Sequence, residues 1–362
     1  MQQNFFSDLK VIELASVLAG PAVGLFFAEL GAKVIKVENK TTGGDVTRSW
    51  KLPTENPEAP LSSYYCCVNW HKESLLLDLR DEEDYAQLLT LIKTADVVIS
   101  NYKPVSAKRM GVDYQTLKTI NKSLIYGQLT AFGDESKRSA FDIVLQAEAG
   151  FLYMTGEKGG APVRIPVALI DLIAAHQLKE GILLGLLHRE RTGEGSYLTV
   201  SLLESALASL ANQATNWLMG NHQAERMGTQ HPNIAPYGDI FSTKDHKQIV
   251  LAVGSEKQFV KLCKVLKAEQ LAADIRFSTN AARVKNRALL LEKLKPAILQ
   301  FEHQELLDTF EQFDIPAGSI RSMSEVFELR ETQNMILEEE MSNGEMSRRL
   351  KTVVFEMKKD CF

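Results

Sequence analysis

The chain has 362 residues, which at about 150 residues per domain suggests two domains. Hydrophobic residues make up 45% and charged residues 24%, a globular balance that excludes disorder, collagen and coiled coil. The net charge of −5 leaves no electrostatic footprint for nucleic acid. Along the chain, Val11 to Leu14 reads as a short strand, Ala19-Gly20-Pro21 breaks it, and Ala22 to Leu30 reads as a helix stopped by Gly31. Strands are expected at Lys33 to Val37 and Leu75 to Leu79, a helix at Glu82 to Lys93, and further strands at Val97 to Ser100 and Leu124 to Gln128. The β-branched run at Val97 suits a buried parallel strand. Strands alternating with helices predict βαβ units and a parallel sheet covered on both faces.

The middle is expected to be helical, over Asp142 to Met154, Leu172 to Arg189 and Ser201 to Met219, with a strand at Tyr197 to Val200. Gly220 to Pro236 lacks apolar periodicity and reads as a linker or an active-site loop. Two strands, Gly238 to Thr243 and Gln248 to Val253, then flank a hairpin-like turn, and helices follow near Lys257–Lys267, Ala282–Gln300 and His303–Phe313. The predicted fold is α/β: a large Rossmann-like domain over 1–220, a smaller α+β domain over 221–330, and a charged tail over 331–362 with a strand at Lys351–Glu356.

The four cysteines, Cys66, Cys67, Cys263 and Cys361, form no C-x-x-C, so free thiols in a reducing, cytoplasmic setting are expected. Met1 to Lys10 does not resemble a signal peptide, and no apolar run reaches the roughly 18 residues of a membrane span. There is no dinucleotide-binding glycine pattern, P-loop, nucleophile elbow or zinc-protease motif. One stretch stands out. The largely apolar stretch Arg164 to Ile170 leads to Asp171, at the N-cap or first turn of a helix. Asp171 is either a plain helix cap or a carboxylate nucleophile in an apolar setting, kept ionised by the positive end of the helix.

Several segments decide between those readings. Asp8-Leu9-Lys10-Val11-Ile12-Glu13-Leu14 through Leu18-Ala19-Gly20-Pro21, then Leu30-Gly31-Ala32-Lys33-Val34-Ile35-Lys36-Val37-Glu38, resembles the N-terminus of family III CoA-transferases. Gly44-Asp45-Val46-Thr47-Arg48, Asn69 with Lys72, Ala95-Asp96-Val97-Val98-Ile99-Ser100-Asn101-Tyr102, and Arg191-Thr192-Gly193-Glu194-Gly195 continue the match. His231-Pro232-Asn233-Ile234-Ala235-Pro236-Tyr237-Gly238 and Ile315-Pro316-Ala317-Gly318 extend it to about residue 330. The resemblance implies an interlocked homodimer of Rossmann-like chains. It matches Asp171 to the family's catalytic aspartate, working through an acyl-aspartyl anhydride and an aspartyl-CoA thioester. Its substrates would be an acyl-CoA donor and a carboxylic acid acceptor, with coenzyme A as the group carried and no metal. By position it assigns Val17, Ala19, Lys72, Asn101, Tyr102 and Arg109 to CoA. Asn39 stands where some relatives place an arginine, and Ser139 where one places a lysine.

Two alternatives stay open. The superfamily also contains α-methylacyl-CoA racemases, which need two proton-transfer groups; their histidine before the aspartate matching Asp142 is Phe141 here. His176 lies about 140° round the helix from Asp171, too far to share its site. An inactive CoA-binding accessory protein is the other, because only Gly228 marks the region of the family's glycine-rich loop.

Overall fold

Six short runs rich in Val, Ile and Leu form one sheet in the computed structural model, which describes residues 4–340 and 344–356. They are β1 (Lys10–Leu14), β2 (Lys33–Asn39), β3 (Lys72–Leu77), β4 (Val97–Ser100), β5 (Ile125–Thr130) and β6 (Ser196–Ser201). Their order is β3-β2-β1-β4-β5-β6, every neighbouring pair parallel. This is the doubly wound order, whose chain reversal between β1 and β4 opens a crevice at the carboxyl ends of the strands. The expected Rossmann-like α/β fold is the one observed.

Five helices surround that crevice or cover the sheet: α1 (Ala19–Glu29), α2 (Glu82–Ile92), α3 (Asp142–Glu148), α4 (Leu169–Thr192) and α5 (Leu202–Ala208). Alternate strand residues point to opposite faces. Val11, Val34, Val97 and Ile125 pack with Leu25 and Phe27 of α1, Ala174 and Leu178 of α4, and Ala206 of α5. Ile12, Ile35, Val98 and Tyr126 pack with Leu88 and Ile92 of α2 on the other face. Helix α4 lies close on β5 because Gly127 has no side chain: a Cβ there would stand 3.1 Å from Leu178 and 3.2 Å from Ile182. That packing fixes where the start of α4, and with it Asp171, arrives.

The chain folds as two compact units. One holds residues 4–151, 164–223, 331–340 and 344–356; the other holds residues 152–163 and 224–330. In the second unit β7 (Tyr237–Ser242), β8 (Gln248–Ala252) and β9 (Ala317–Ser319) form an antiparallel sheet. Its core joins Ile249 and Leu251 to Phe259 and Leu262 of α6 (Glu256–Val265), Leu290 and Leu294 of α7 (Arg287–Ile298), and Leu306 and Phe310 of α8 (His303–Gln312). Cys66, Cys67 and Cys263 are free thiols, while Cys361 lies outside the described residues. No helix among the described residues is long and apolar enough to cross a membrane.

Three expected helices are each two. Asp142–Met154 breaks at Gly150, which turns left-handed at φ +85°. The helix over 201–219 is interrupted before Ala211, and the one over 282–300 at Asn286. The tail differs as well. Lys351–Glu356 is not a strand; β10 (Ile336–Glu340) and β11 (Met346–Leu350) pair as an antiparallel hairpin instead. Glu29 of α1 anchors it. The Glu29 carboxylate pairs with Arg349 and accepts from the amides of Thr352 and Val353, at 2.9 and 2.7 Å. Both side chains are buried, and breaking one side of a buried pair costs about 3–5 kcal/mol. Glu29→Ala is therefore expected to lower the unfolding midpoint and make residues after 335 the first site of limited proteolysis. An unchanged cleavage pattern would contradict this anchoring.

Candidate active site

Asp171 is the third residue of α4 and only 9% exposed. The helix end is capped by another carboxylate. Asp142, the first residue of α3, accepts from the amides of Ile170 at 2.7 Å and Asp171 at 3.3 Å. Gln146, one turn on, donates to Asp142 and accepts the amide of Ile165 at 2.9 Å, which ties the approach of α4 to α3. Of the two readings of Asp171, the helix cap thus falls to Asp142 instead.

This corrects the electrostatic expectation as well. Among the described residues nothing donates a hydrogen bond to the Asp171 carboxylate. Burial first, and the charge of Asp142 next, push its pKa up from 3.8 to about 7. The helix end does not hold Asp171 ionised, because the amides that would do so already serve Asp142. The result is a desolvated carboxylate with free lone pairs, poised near neutrality.

Asp171 opens into a cavity of about 180 Å³ at the carboxyl ends of β1, β4 and β5. Val17, Leu18 and Ala19 from the turn between β1 and α1 line it, with Asn101 and Tyr102 after β4, and Lys103, Arg138, Ser139 and Phe141. Leu18, the N-cap of α1, offers no capping side chain, and Pro21 has no N–H. The amides of Leu18, Ala19 and Gly20 have no acceptor among the described residues. Such free amides at a helix N-terminus are suited to a developing negative charge.

Five of the seven residues picked out from sequence therefore meet in one place: Asp171, Val17, Ala19, Asn101 and Tyr102. Tyr102 also borders a neighbouring cleft of about 650 Å³ shared with Arg109 and Asn39. Arg109 is exposed and makes no ion pair among the described residues. Lys72 joins neither group. Its Nζ donates to Glu13 at 2.7 Å, the Pro21 carbonyl at 2.8 Å and Asn69 at 3.1 Å. All three ammonium hydrogens are spent inside the fold, which leaves none for the phosphate expected of it. Burial, against the pull of Glu13, lowers its pKa to about 8.

Sequence reasoning missed an aromatic wall. Trp50 meets the Tyr64 ring at 5.2 Å and the Phe141 ring at 6.4 Å. Burial and then the Asp171 charge push the Tyr64 hydroxyl up to about 12. Phe141 is 61% exposed although large and apolar. It has no proton to give, and the Asp142 carboxylate beside it is engaged in capping, which disfavours racemase chemistry. His176 is exposed on α4 and does not line the cavity. Among the described residues no group of His, Cys, Asp or Glu side chains is placed to hold a metal ion.

Residues 6–360 match CoA-transferase family III. The chain belongs to that family. It is 38% identical over 327 residues to succinate–glutarate CoA-transferase of Agrobacterium fabrum, covering 89% of this chain and 81% of the relative. It is 36% identical over 322 residues to succinyl-CoA:glutarate CoA-transferase of Mus musculus, covering 88% and 72%. The crystal structure of a CaiB/BaiF family protein from Brucella suis superposes with a TM-score of 0.84 at 36% identity, covering 96% of this chain and 91% of that one. The protein is a family III CoA-transferase, and its substrates are CoA thioesters and carboxylic acids.

The raised pKa has a consequence for stability. Between pH 3.8 and about 7 native Asp171 holds a proton that the unfolded chain has lost. Stability contributed below that window is lost as pH rises through it, and the full penalty stands above it. Asp171→Asn removes the charge, so it is expected to stabilise the fold at pH 8 by up to about 4 kcal/mol and to give no gain below pH 4. Denaturant unfolding at both pH values checks this; an equal effect at both would contradict it.

Proposed function

We propose that Asp171 is the nucleophile of this CoA-transferase and that its substrates are dicarboxylic acids of the succinate and glutarate kind. One observation carries the first part: a buried carboxylate without a hydrogen-bond donor among the described residues shares a cavity with a turn whose amides have no acceptor among them. In this reading one Asp171 oxygen attacks the thioester carbonyl, and the oxyanion that forms is met by the amides of Leu18, Ala19 and Gly20. The C–S bond breaks, leaving a mixed anhydride and CoA thiolate. The thiolate attacks the Asp171 carbonyl and releases the first acid, which carries away an Asp171 oxygen. The acceptor carboxylate then attacks the aspartyl-CoA thioester, and the returning thiolate attacks the new acyl group to free Asp171. No proton is gained or lost overall, and each step exchanges one activated acyl group for another.

The dicarboxylate reading draws on the names of the two relatives above and on Lys103, which lines the Asp171 cavity and, with one ammonium hydrogen given to the Lys137 carbonyl at 2.9 Å, suits a second carboxylate; Arg138 beside it is engaged by Glu148. Arg109 and Tyr102 in the adjoining cleft suit the nucleotide end of CoA. Apolar side chains left exposed on one chain, Leu183, Leu184 and Leu187 of α4 with Trp217, Leu218 and Met219, support the homodimer. Light scattering is expected to give twice the chain mass; a monomer at working concentration would sink that part.

With succinyl-CoA as donor, Asp171→Ala is expected to lose transfer activity by about a thousandfold or more. The unaltered enzyme should carry a CoA adduct on the peptide containing Asp171. The ratio kcat/KM should rise with pH through about 7 and then level, since the carboxylate is the reactive form. A fully active Asp171→Ala, or a profile flat from pH 5 to 8, would refute the assignment.

A further inference from the structure

Buried charges stand beneath the turn that lines the active site. Glu13 of β1 and Lys36 of β2 face each other in register, and both are fully buried. Lys36 Nζ donates to Glu13 at 2.9 Å and to the Ala15 carbonyl at 2.7 Å, and pairs with Asp45 at 3.0 Å. Asp45 passes this on to the turn. Its carboxylate accepts the amide of Val17 at 3.1 Å and the amide and hydroxyl of Thr47 at 3.0 and 2.8 Å. Helix α1 rests on the same cluster: a Cβ on Gly24 would fall 1.9 Å from Glu13 Oε2. Asn101 grips the preceding residue, accepting the Ser16 amide at 3.1 Å and donating to its carbonyl at 2.8 Å.

Held at both sides, Val17 sits at φ +72°, a left-handed conformation that a β-branched residue avoids. Such strain persists only where the surroundings over-determine it, and it collects at functional sites. Stability does not explain the arrangement, because apolar side chains of similar volume replace buried ion pairs at little or no loss. Burial works against the charge on Lys36 and on Asp45, yet each is outweighed by its partner: Lys36 is held above its ordinary pKa, and Asp45 below its own. Both therefore remain charged. What the cluster secures is one backbone geometry, immediately before the three residues whose amides have no acceptor among the described residues.

We propose that Asp45, backed by Lys36 and Glu13, is a positioning residue: it fixes the strained Val17 turn and so aims the amides of Leu18, Ala19 and Gly20 at the oxyanion formed in the attack of Asp171. This rests on the nucleophilic role proposed above for Asp171.

Two variants separate positioning from folding. Asp45→Asn removes the charge that Lys36 and the Val17 turn share, and should slow Asp171–CoA adduct formation from succinyl-CoA about ten- to a hundredfold. Val17→Gly keeps the amide that Asp45 holds and adopts φ +72° without strain, so the turn depends less on the clamp and Asp45→Asn should cost at least about threefold less in that background. Binding of free CoA, which has no acyl carbonyl to position, should change by less than about threefold in Asp45→Asn. An unaltered adduct rate in folded Asp45→Asn, or an equal loss in both backgrounds, overturns the proposal. Should Asp45→Asn fail to fold, Asp45→Glu, which keeps the charge and displaces it, decides by the same rates. If the unaltered enzyme turns over without any adduct, the nucleophile assignment has failed on its own account. The Asp45 variant is then read by kcat/KM for the acyl-CoA, and an unchanged value overturns the clamp.

Discussion

A carboxylate that is buried and yet, among the described residues, left without a donor is the constraint around which this site is built. Asp171 comes to the end of α4, where backbone amides would ordinarily satisfy it. Asp142 reaches those amides first, so Asp171 keeps its lone pairs free and its pKa near 7. The same arrangement makes the carboxylate costly to fold and effective to use. The rest of the large unit bears on where that group stands. Gly127 lets α4 settle on β5, Gln146 ties α3 to the entry of α4, and the chain reversal between β1 and β4 opens the space in front.

The second organising element is ionic and lies under the first. A central parallel strand is usually apolar on both faces, but β1 carries Glu13 and β2 carries Lys36, both without solvent contact. Their charges continue through Asp45 and Lys72 into the two ends of the turn and helix that line the cavity. A neighbouring pair, Glu38 with Arg48, repeats the pattern closer to the surface: burial opposes ionisation of Glu38, and Arg48 and Ser74 outweigh it to hold the pKa at about 2. Departures from ordinary patterning tend to gather where a protein does its work, and here they gather under one turn.

Much of this was legible in the sequence, for identifiable reasons. The sheet was legible because parallel strands are short, β-branched and bounded by glycine, as at Val97 to Ser100. Helices were placed well, but their interruptions were not. Gly150, Ala211 and Asn286 break apolar patterns that continue on both sides, and only backbone geometry separates the halves. The C-terminal hairpin was missed because β10, with its Glu-rich end, and β11, with its two arginines, look like solvated tail. At the site, Asp171 was found through the resemblance, yet its electrostatics came out with the wrong sign. The rival for its amides, Asp142, stands 29 residues away in sequence. Lys72 looked like a phosphate ligand because its type and position suited one, and its three internal partners come from three separate segments. Glu13 and Lys36 did leave a signal, as lone charges inside apolar strands, and that signal points to the clamp.

Oxygen exchange follows the covalent chemistry atom by atom. The first acid leaves with one Asp171 oxygen, and the acceptor carboxylate replaces it with one of its own. Turnover with an acceptor acid labelled with oxygen-18 in its carboxylate should therefore leave label on the peptide containing Asp171, as one heavy oxygen after a single turnover. Efficient transfer with no label on that peptide would contradict a covalent role for Asp171 and with it this account of the site.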